Sequence, residues 1–316
     1  MLPWTNEQLM EAVDKRRPAP TTILDAHFST RRPADASLIQ VDIKKGPEGI
    51  AVAIDAGAKS KRAKSEGWDS IPMQIPRFSE HDIIKASDFS QFRQPGVMNA
   101  ANQAAFMQKV MDKFDDMKKR FDRTKEFMAI KGMQGQIVDG DGNILVDYDV
   151  PAAGTLNTGT TSPLVFFRQQ HAAIARVLGY MPSMLMCYAG ETAYDKIMDH
   201  ADVKALLGGP MGPTMVQDGM VQRIQNVYIK QMPLEFVNNA GSAERYVADN
   251  KIILAPKEMD ARLLYAPCES PRGMISVPLY VDQWDEKDPA GTMIRLEENP
   301  LPLIRRPDAC RHHTVS

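Results

Sequence analysis

Cysteine is scarce: Cys187, Cys268 and Cys310 are the only three in 316 residues, far apart and without paired spacing. That excludes a disulfide framework and suits a reducing compartment. No apolar run approaches the length of about 18 residues that spans a bilayer, and the N-terminal region lacks a signal-peptide core. The chain is therefore expected to be soluble, with no membrane partner and no export by that route. A one-sided charge is also missing, since 38 basic residues face 40 acidic ones for a formal net charge of -2. Dedicated nucleic-acid and membrane-surface proteins usually carry a basic excess, so both classes are disfavoured.

Motifs that assemble chemistry are lacking as well. Neither a Gly-x-Ser-x-Gly elbow nor a His-Glu-x-x-His helix occurs. Asp139-Gly140-Asp141-Gly142-Asn143 begins like a calcium loop. It then places Ile144 where the turn needs glycine and Val150 where a bidentate glutamate belongs. Cys310-Arg311-His312-His313 offers soft ligands without a second pair. Gly208-Gly209-Pro210-Met211-Gly212-Pro213 follows a helix instead of opening one and has no Lys-Ser/Thr for phosphates. His171 and His200 read as surface or satisfied core residues, and Asp115 and Asp116 as solvated ones. No catalytic, cofactor-binding or metal-ligating residue is expected, and no enzyme.

What the chain does have is 20 methionines, 22 prolines and one long periodic stretch. Methionine suits adaptable contacts, and prolines among strand-like runs mark edge strands and loops. Phe106, Val110, Phe114, Met117, Phe121 and Met128 fall on one stripe of a helix predicted over 98–130. Charged residues occupy the other faces, Asp122, Lys125 and Glu126 among them. Such a helix reaches about 50 Å. Behind it, two β-rich runs joined by Asp-Gly pairs predict a hairpin over 134–148.

In chain order, Thr5 caps a short helix, and Arg16-Arg17-Pro18-Ala19-Pro20 opens an extended arm over 1–37. Its Ile23, Leu24 and Phe28 need burial on the chain's own body or on a neighbour. From Leu38 the period changes to two: Ile39, Val41 and Ile43, then Ile50, Val52 and Ile54, then Ile71, Met73 and Ile75 predict strands of an extended loop over 38–78. Its tip, Lys59-Ser60-Lys61-Arg62-Ala63-Lys64, is cationic: a solvated turn, or a tip that reaches an acidic patch on another subunit. Residues 151–162 read as a linker, followed by helices over 163–178 and 191–207 and by several short strands. These form a compact α+β unit over 155–262, and strand-like runs return over 263–316.

This ordered set resembles the lambda-type major capsid proteins of tailed phages, the phage major capsid protein E family. The resemblance is carried by Thr22-Ile23-Leu24-Asp25-Ala26-His27-Phe28, by Val41-Asp42-Ile43-Lys44-Lys45-Gly46 with Ile50-Ala51, and by Gly67-Trp68 through Ile75-Pro76. The most specific part is Lys131-Gly132-Met133-Gln134-Gly135 through Asp147-Tyr148. Trp284, Asp288-Pro289-Ala290-Gly291, Pro300-Leu301-Pro302 and Pro307-Asp308-Ala309 match the family's close. Phe89 to Gly96 is a looser version of the family's post-loop pattern.

The resemblance implies a Hong Kong 97-type α+β fold with arm, extended loop, axial domain at 155–262, and a peripheral domain at 79–154 holding the spine helix and hairpin. It implies a shell of hexamers and pentamers of this chain around packaged DNA, which is touched only weakly. A separate scaffold protein, a portal and a decoration protein are the implied partners. The implied location is the virion, assembled in the host cytoplasm. The helix is expected to bend in the precursor shell and straighten on expansion. Expected inter-subunit contacts are Ile23, Phe28, Lys59, Lys61, Arg62, Lys64, Trp68, Met73 and Arg77. An encapsulin-like cellular compartment, which would bind cargo peptides, and an α+β hydrolase, which would need a deep pocket, are the competing readings.

Overall fold

The computed structural model describes residues 5–16, 18–44, 46, 68–85, 100–150, 154–210, 212–217, 220–238, 241–271, 273–287 and 290–316. The strand expected at Ile50, Val52 and Ile54, the cations Lys59, Lys61, Arg62 and Lys64, and the 89–96 segment lie outside them.

Helix α1 (Asn6–Asp14) opens with a capping box in which Thr5 and Gln8 each satisfy the other's backbone N–H, and it buries Leu9 and Val13. The arm beyond is not extended throughout, because Ile23–His27 forms a short helix, α2. Five residues do not hold a helix alone; the missing stabilisation comes from α3 (Ala100–Met133), which ends one turn later than the spacing predicts. Val110, Phe114, Met117, Phe121 and Met128 are buried along the expected stripe. The side chain of Phe106 lies outside the described residues. Toward its C-terminus the helix is enclosed all round, with Phe127, Ala129, Ile130 and Met133 also buried.

Beside it, Leu38–Lys44 and Trp68–Gln74 form an antiparallel ribbon, paired from Leu38 with Gln74 to Lys44 with Trp68. Val41, Ile43 and Met73 point inward while Gln40, Asp42, Pro72 and Gln74 are exposed, as period two requires. A three-stranded sheet (Phe78–Lys85, Ala290–Glu298 in the centre, Tyr280–Lys287) carries α1 and the first half of α3. A second sheet pairs Ala261–Tyr265 with Arg31–Pro33 on one side and Pro300–Ile304 on the other. Pro300 and Pro302 thus sit on an edge strand, where missing N–H donors do no harm.

After α3 the hairpin Gln136–Val138/Ile144–Asp147 forms as expected. Next come α4 (Pro163–Leu178), α5 (Glu191–Asp199) and α6 (Ala201–Leu207). The first ends at Gly179, whose φ of 78° is a left-handed cap. The three pack on one face of a six-stranded sheet, ordered Arg223–Ile224, Val227–Gln231, Leu185–Ala189, Lys251–Pro256, Arg311–Val315, Gly154–Leu156. In the Lys251–Pro256 strand Ile252 and Leu254 face these helices, while Ile253 and Ala255 face the central cluster around α2 and the end of α3.

Several expectations need correction. The 151–162 linker contains the strand Gly154–Leu156. The 191–207 helix is two helices, broken at His200, whose ψ of 137° is extended. The 221–230 run doubles back at Gln225, with φ of 53°. The 274–281 run divides into Gly273–Ile275 and a strand starting at Tyr280, around Pro278. Arg311–Val315, unassigned from its polar sequence, is an interior strand of the largest sheet.

Candidate assembly surfaces and the polar seam beneath the arm

The expected contact residues separate by burial. Ile23, Phe28 and Met73 are at most 2% exposed and belong to the chain's own central cluster. In this conformation they have no surface left for a neighbour, because the arm and ribbon fold onto the body at those points. Arg77 remains half-exposed, but its guanidinium donates to the fully buried Glu297 at 2.8 Å and pairs with Glu269 at 2.8 Å. The hydrogen bond to Glu297, against a burial penalty, raises its pKa further. Its charge therefore serves the base of the ribbon. The backbone of Trp68 pairs with Lys44, and its side chain lies outside the described residues.

An open apolar surface lies elsewhere. Leu38 (66%), Ile144 (58%) and Met274 (63%) are exposed apolar side chains on three different elements: ribbon, hairpin and Gly273–Ile275 strand. Ile144 and Met274 line a cavity of about 510 Å³ shared with Gln74, Arg77, Glu269 and Asn299, and Leu38 stands beside it, paired with Gln74. Isolated exposed leucines are ordinary, but three converging on one concavity suit a contact.

Beneath the arm runs a polar seam not read from the sequence. Asp122, Lys125 and Glu126 are buried, although they were expected to face water or a charged partner. Glu126 accepts the backbone N–H groups of Thr22, Ile23 and Leu24 at 2.8, 2.7 and 3.0 Å, which are the donors a helix N-terminus leaves unpaired. Burial raises its pKa and those three N–H groups oppose the rise. Asp122 accepts the Ala19 N–H at 2.9 Å and pairs with Lys125, which also donates to Glu298 at 2.8 Å. Burial alone would lower the Lys125 pKa; the Glu298, Tyr265 and Asp122 charges more than reverse this. Lys118 donates to the carbonyls of Val13, Asp14 and Arg16. Spacing held the only clue: charges at 118, 122 and 126 recur every four residues beside the apolar stripe.

Little here points to reaction chemistry. Cys187 and Cys310 are buried, and burial pushes the Cys310 thiol up to about 12, so it is no thiolate at neutral pH. Asp139 spends its carboxylate on the N–H groups of Asp141 and Asn143 and the Asn143 amide, closing a turn. Among the described residues no cluster of His, Cys, Asp and Glu is placed to hold a metal ion. His171 donates its Nε2–H to the Pro182 carbonyl at 3.0 Å.

Arm, ribbon, long helix on a three-stranded sheet, and helix-backed six-stranded sheet together define a subunit of the Hong Kong 97-type capsid fold. A crystal structure assigned to the capsid protein of a prophage from E. coli CFT073 aligns over 99% of both chains, with a TM-score of 0.67 at 11% identity. The capsid of cyanophage P-SCSP1u aligns over 95% of this chain and 89% of that one, with a TM-score of 0.55 at 13% identity. A phage-related protein from Bordetella bronchiseptica RB50 covers 98% and 95%, with a TM-score of 0.55 at 12% identity. At such identities the likeness is one of fold. Residues 5–315 match the family profile of phage major capsid protein E, and the chain belongs to that family. A search of curated proteins found no match. The protein is thus a shell-forming major capsid protein of a tailed bacteriophage, a structural component of the virion. Among the described residues no helix is long and apolar enough to cross a membrane.

Proposed function

We propose that the chain assembles with copies of itself into hexamers and pentamers of an icosahedral shell that encloses the genome, with each extended loop lying across the next subunit. The observation that carries this reading is the open apolar surface of Leu38, Ile144 and Met274 around its cavity at the foot of the ribbon. A covering segment from a neighbour would bury it and add strand pairs along the ribbon. Residues 1–37 act as arm, 38–78 as loop, 79–154 with 263–316 as the peripheral domain, and 155–262 as the axial domain. Assembly occurs in the host cytoplasm without a membrane. A separate scaffold protein, a portal and a decoration protein complete the particle. A near-neutral chain suits a container that must not grip its DNA. Weak contacts repeated around a closed surface make it durable.

Purified full-length protein examined by size exclusion and negative-stain microscopy is expected to give rings or shells. An inert 35.2 kDa monomer at every concentration would refute self-assembly. Replacing Lys61, Arg62 and Lys64 with Glu is expected to impair assembly while the monomer stays folded. Normal shells from that triple variant would remove the loop tip from the mechanism.

A further inference from the structure

Between two apolar anchorages the N-terminal arm is latched to α3 by charged side chains. Leu9 and Val13 fix its start and Ile23, Leu24 and Phe28 its end, and no described residue from Asp14 to Thr22 is buried. Over that gap α3 presents four rungs on one stripe, at steps of three, four and four residues. Asp115 pairs with Arg16 at 3.4 Å, and Lys118 takes the carbonyls of residues 13, 14 and 16. Asp122 takes the Ala19 N–H, and Glu126 takes those of residues 22–24. Arm and helix run in the same direction, and apart from the Asp115 ion pair the bonds go to main-chain atoms.

The latches are closely spaced. The main-chain latches at Lys118 and Glu126 lie about 12 Å apart along the helix, and the arm from Arg16 to Thr22, at most about 20 Å when fully extended, is tied down again between them at Asp122. Pro18 and Pro20 fix φ at two of its residues, which stiffens the segment between its latches. Bending α3 toward or away from the arm alters that spacing, and long helices bend readily when nothing opposes them.

We propose that residues 14–24 are a splint on the spine helix, latched through Lys118, Asp122 and Glu126, which holds the 115–126 stretch of α3 straight. The inference concerns the single chain and stands whether or not shells form. A passive tether would share the contacts but leave the helix indifferent to their loss.

Hydrogen exchange on the full-length protein, read peptide by peptide, separates these cases for the variant D122N/E126Q, with Asp116→Asn, an exposed carboxylate on the same helix, as control. Peptides covering the arm at 18–25 are expected to exchange about tenfold faster, the scale of losing one charge-assisted hydrogen bond. Peptides covering 115–126 of α3 are expected to accelerate with them, and those covering 185–189 and 251–256 to keep their protection. Acceleration in the arm with an unchanged helix would overturn the splint, and so would no acceleration at all. If the double variant fails to fold, Lys118→Met tests the same claim at the other end, through peptides covering 11–16 and 113–121. There, too, an unchanged helix overturns it.

Discussion

His313 stands on the strand next to the edge of the largest sheet with both ring nitrogens lacking a hydrogen-bond partner among the described residues, edge-on to Phe166 at a centroid distance of 4.9 Å. Gly154 backs it so closely that a Cβ there would overlap the imidazole. Burial, aided by the neighbouring Arg311 and His312 charges, lowers its pKa from 6.5 to about 4. His27, donor or acceptor to the Tyr188 hydroxyl at 2.9 Å, is lowered to about 4 by burial as well. A lowered folded-state pKa means the unfolded chain binds the proton first. Stability is therefore complete above pH 6.5 and is lost progressively toward pH 4, by on the order of 3 kcal/mol for each such histidine. Thermal unfolding of His313→Leu against pH is expected to show a shallower fall between pH 7 and 4.5 than the wild type. Parallel curves would show that His313 does not titrate across unfolding. A second consequence at this scale follows from the burial of Ile23 and Met73. Ile23→Ala or Met73→Ala is expected to lower unfolding free energy by about 2–5 kcal/mol, measured by urea denaturation. A contact reserved for a neighbouring subunit would leave the monomer's stability alone.

Elements were legible in the sequence where one period ran long enough to decide them. The α3 stripe and the alternation of Val41, Ile43 and Met73 each marked both an element and its buried face, and the Asp-Gly pairs marked the hairpin. What stayed hidden depends on residues far away in the chain. The N-terminus of α2 is capped by Glu126, about a hundred positions on, so no local cap marks it. Arg311–Val315 reads as polar because only Val315 on its buried side is aliphatic, the other buried position being a histidine enclosed by Phe166 and Gly154. The α5–α6 break sits at His200, whose ring accepts the Asp202 N–H and starts a new helix. Tyr148 ties two legible elements together: at the end of the hairpin, fully buried, its hydroxyl accepts the Ile304 N–H of the Pro300–Ile304 edge strand at 3.1 Å. Tyr148→Phe keeps the ring but leaves that N–H unpaired, at an expected cost of about 1–3 kcal/mol. Chemical denaturation should register the loss together with faster exchange at Ile304, and unaltered exchange there would mean the amide finds another acceptor.

For the whole molecule, the order of elements carried the family, whereas which side chains stay open on the subunit depends on packing in three dimensions. Strand alternation identifies side chains that leave the ribbon's exposed face, but not whether the other face meets the chain's own core or a second chain. Met73 turns inward from the ribbon, and Ile23 and Phe28 do so from the arm. Leu38, Ile144 and Met274 remain outside on separate elements and converge only in three dimensions. Their exposure means that charge placed there costs the isolated subunit little, since exposed substitutions generally stay within about 0.5 kcal/mol. Burying an unpaired carboxylate against a neighbour costs several kcal/mol, repeated at every copy around a closed shell. The variant I144D/M274D is therefore expected to melt at the wild-type temperature as a subunit yet to stop at free subunits or small oligomers. Sedimentation and negative-stain microscopy at matched concentration read that outcome directly. Wild-type shells from the folded variant would mean that the cavity at the foot of the ribbon stays uncovered in the particle.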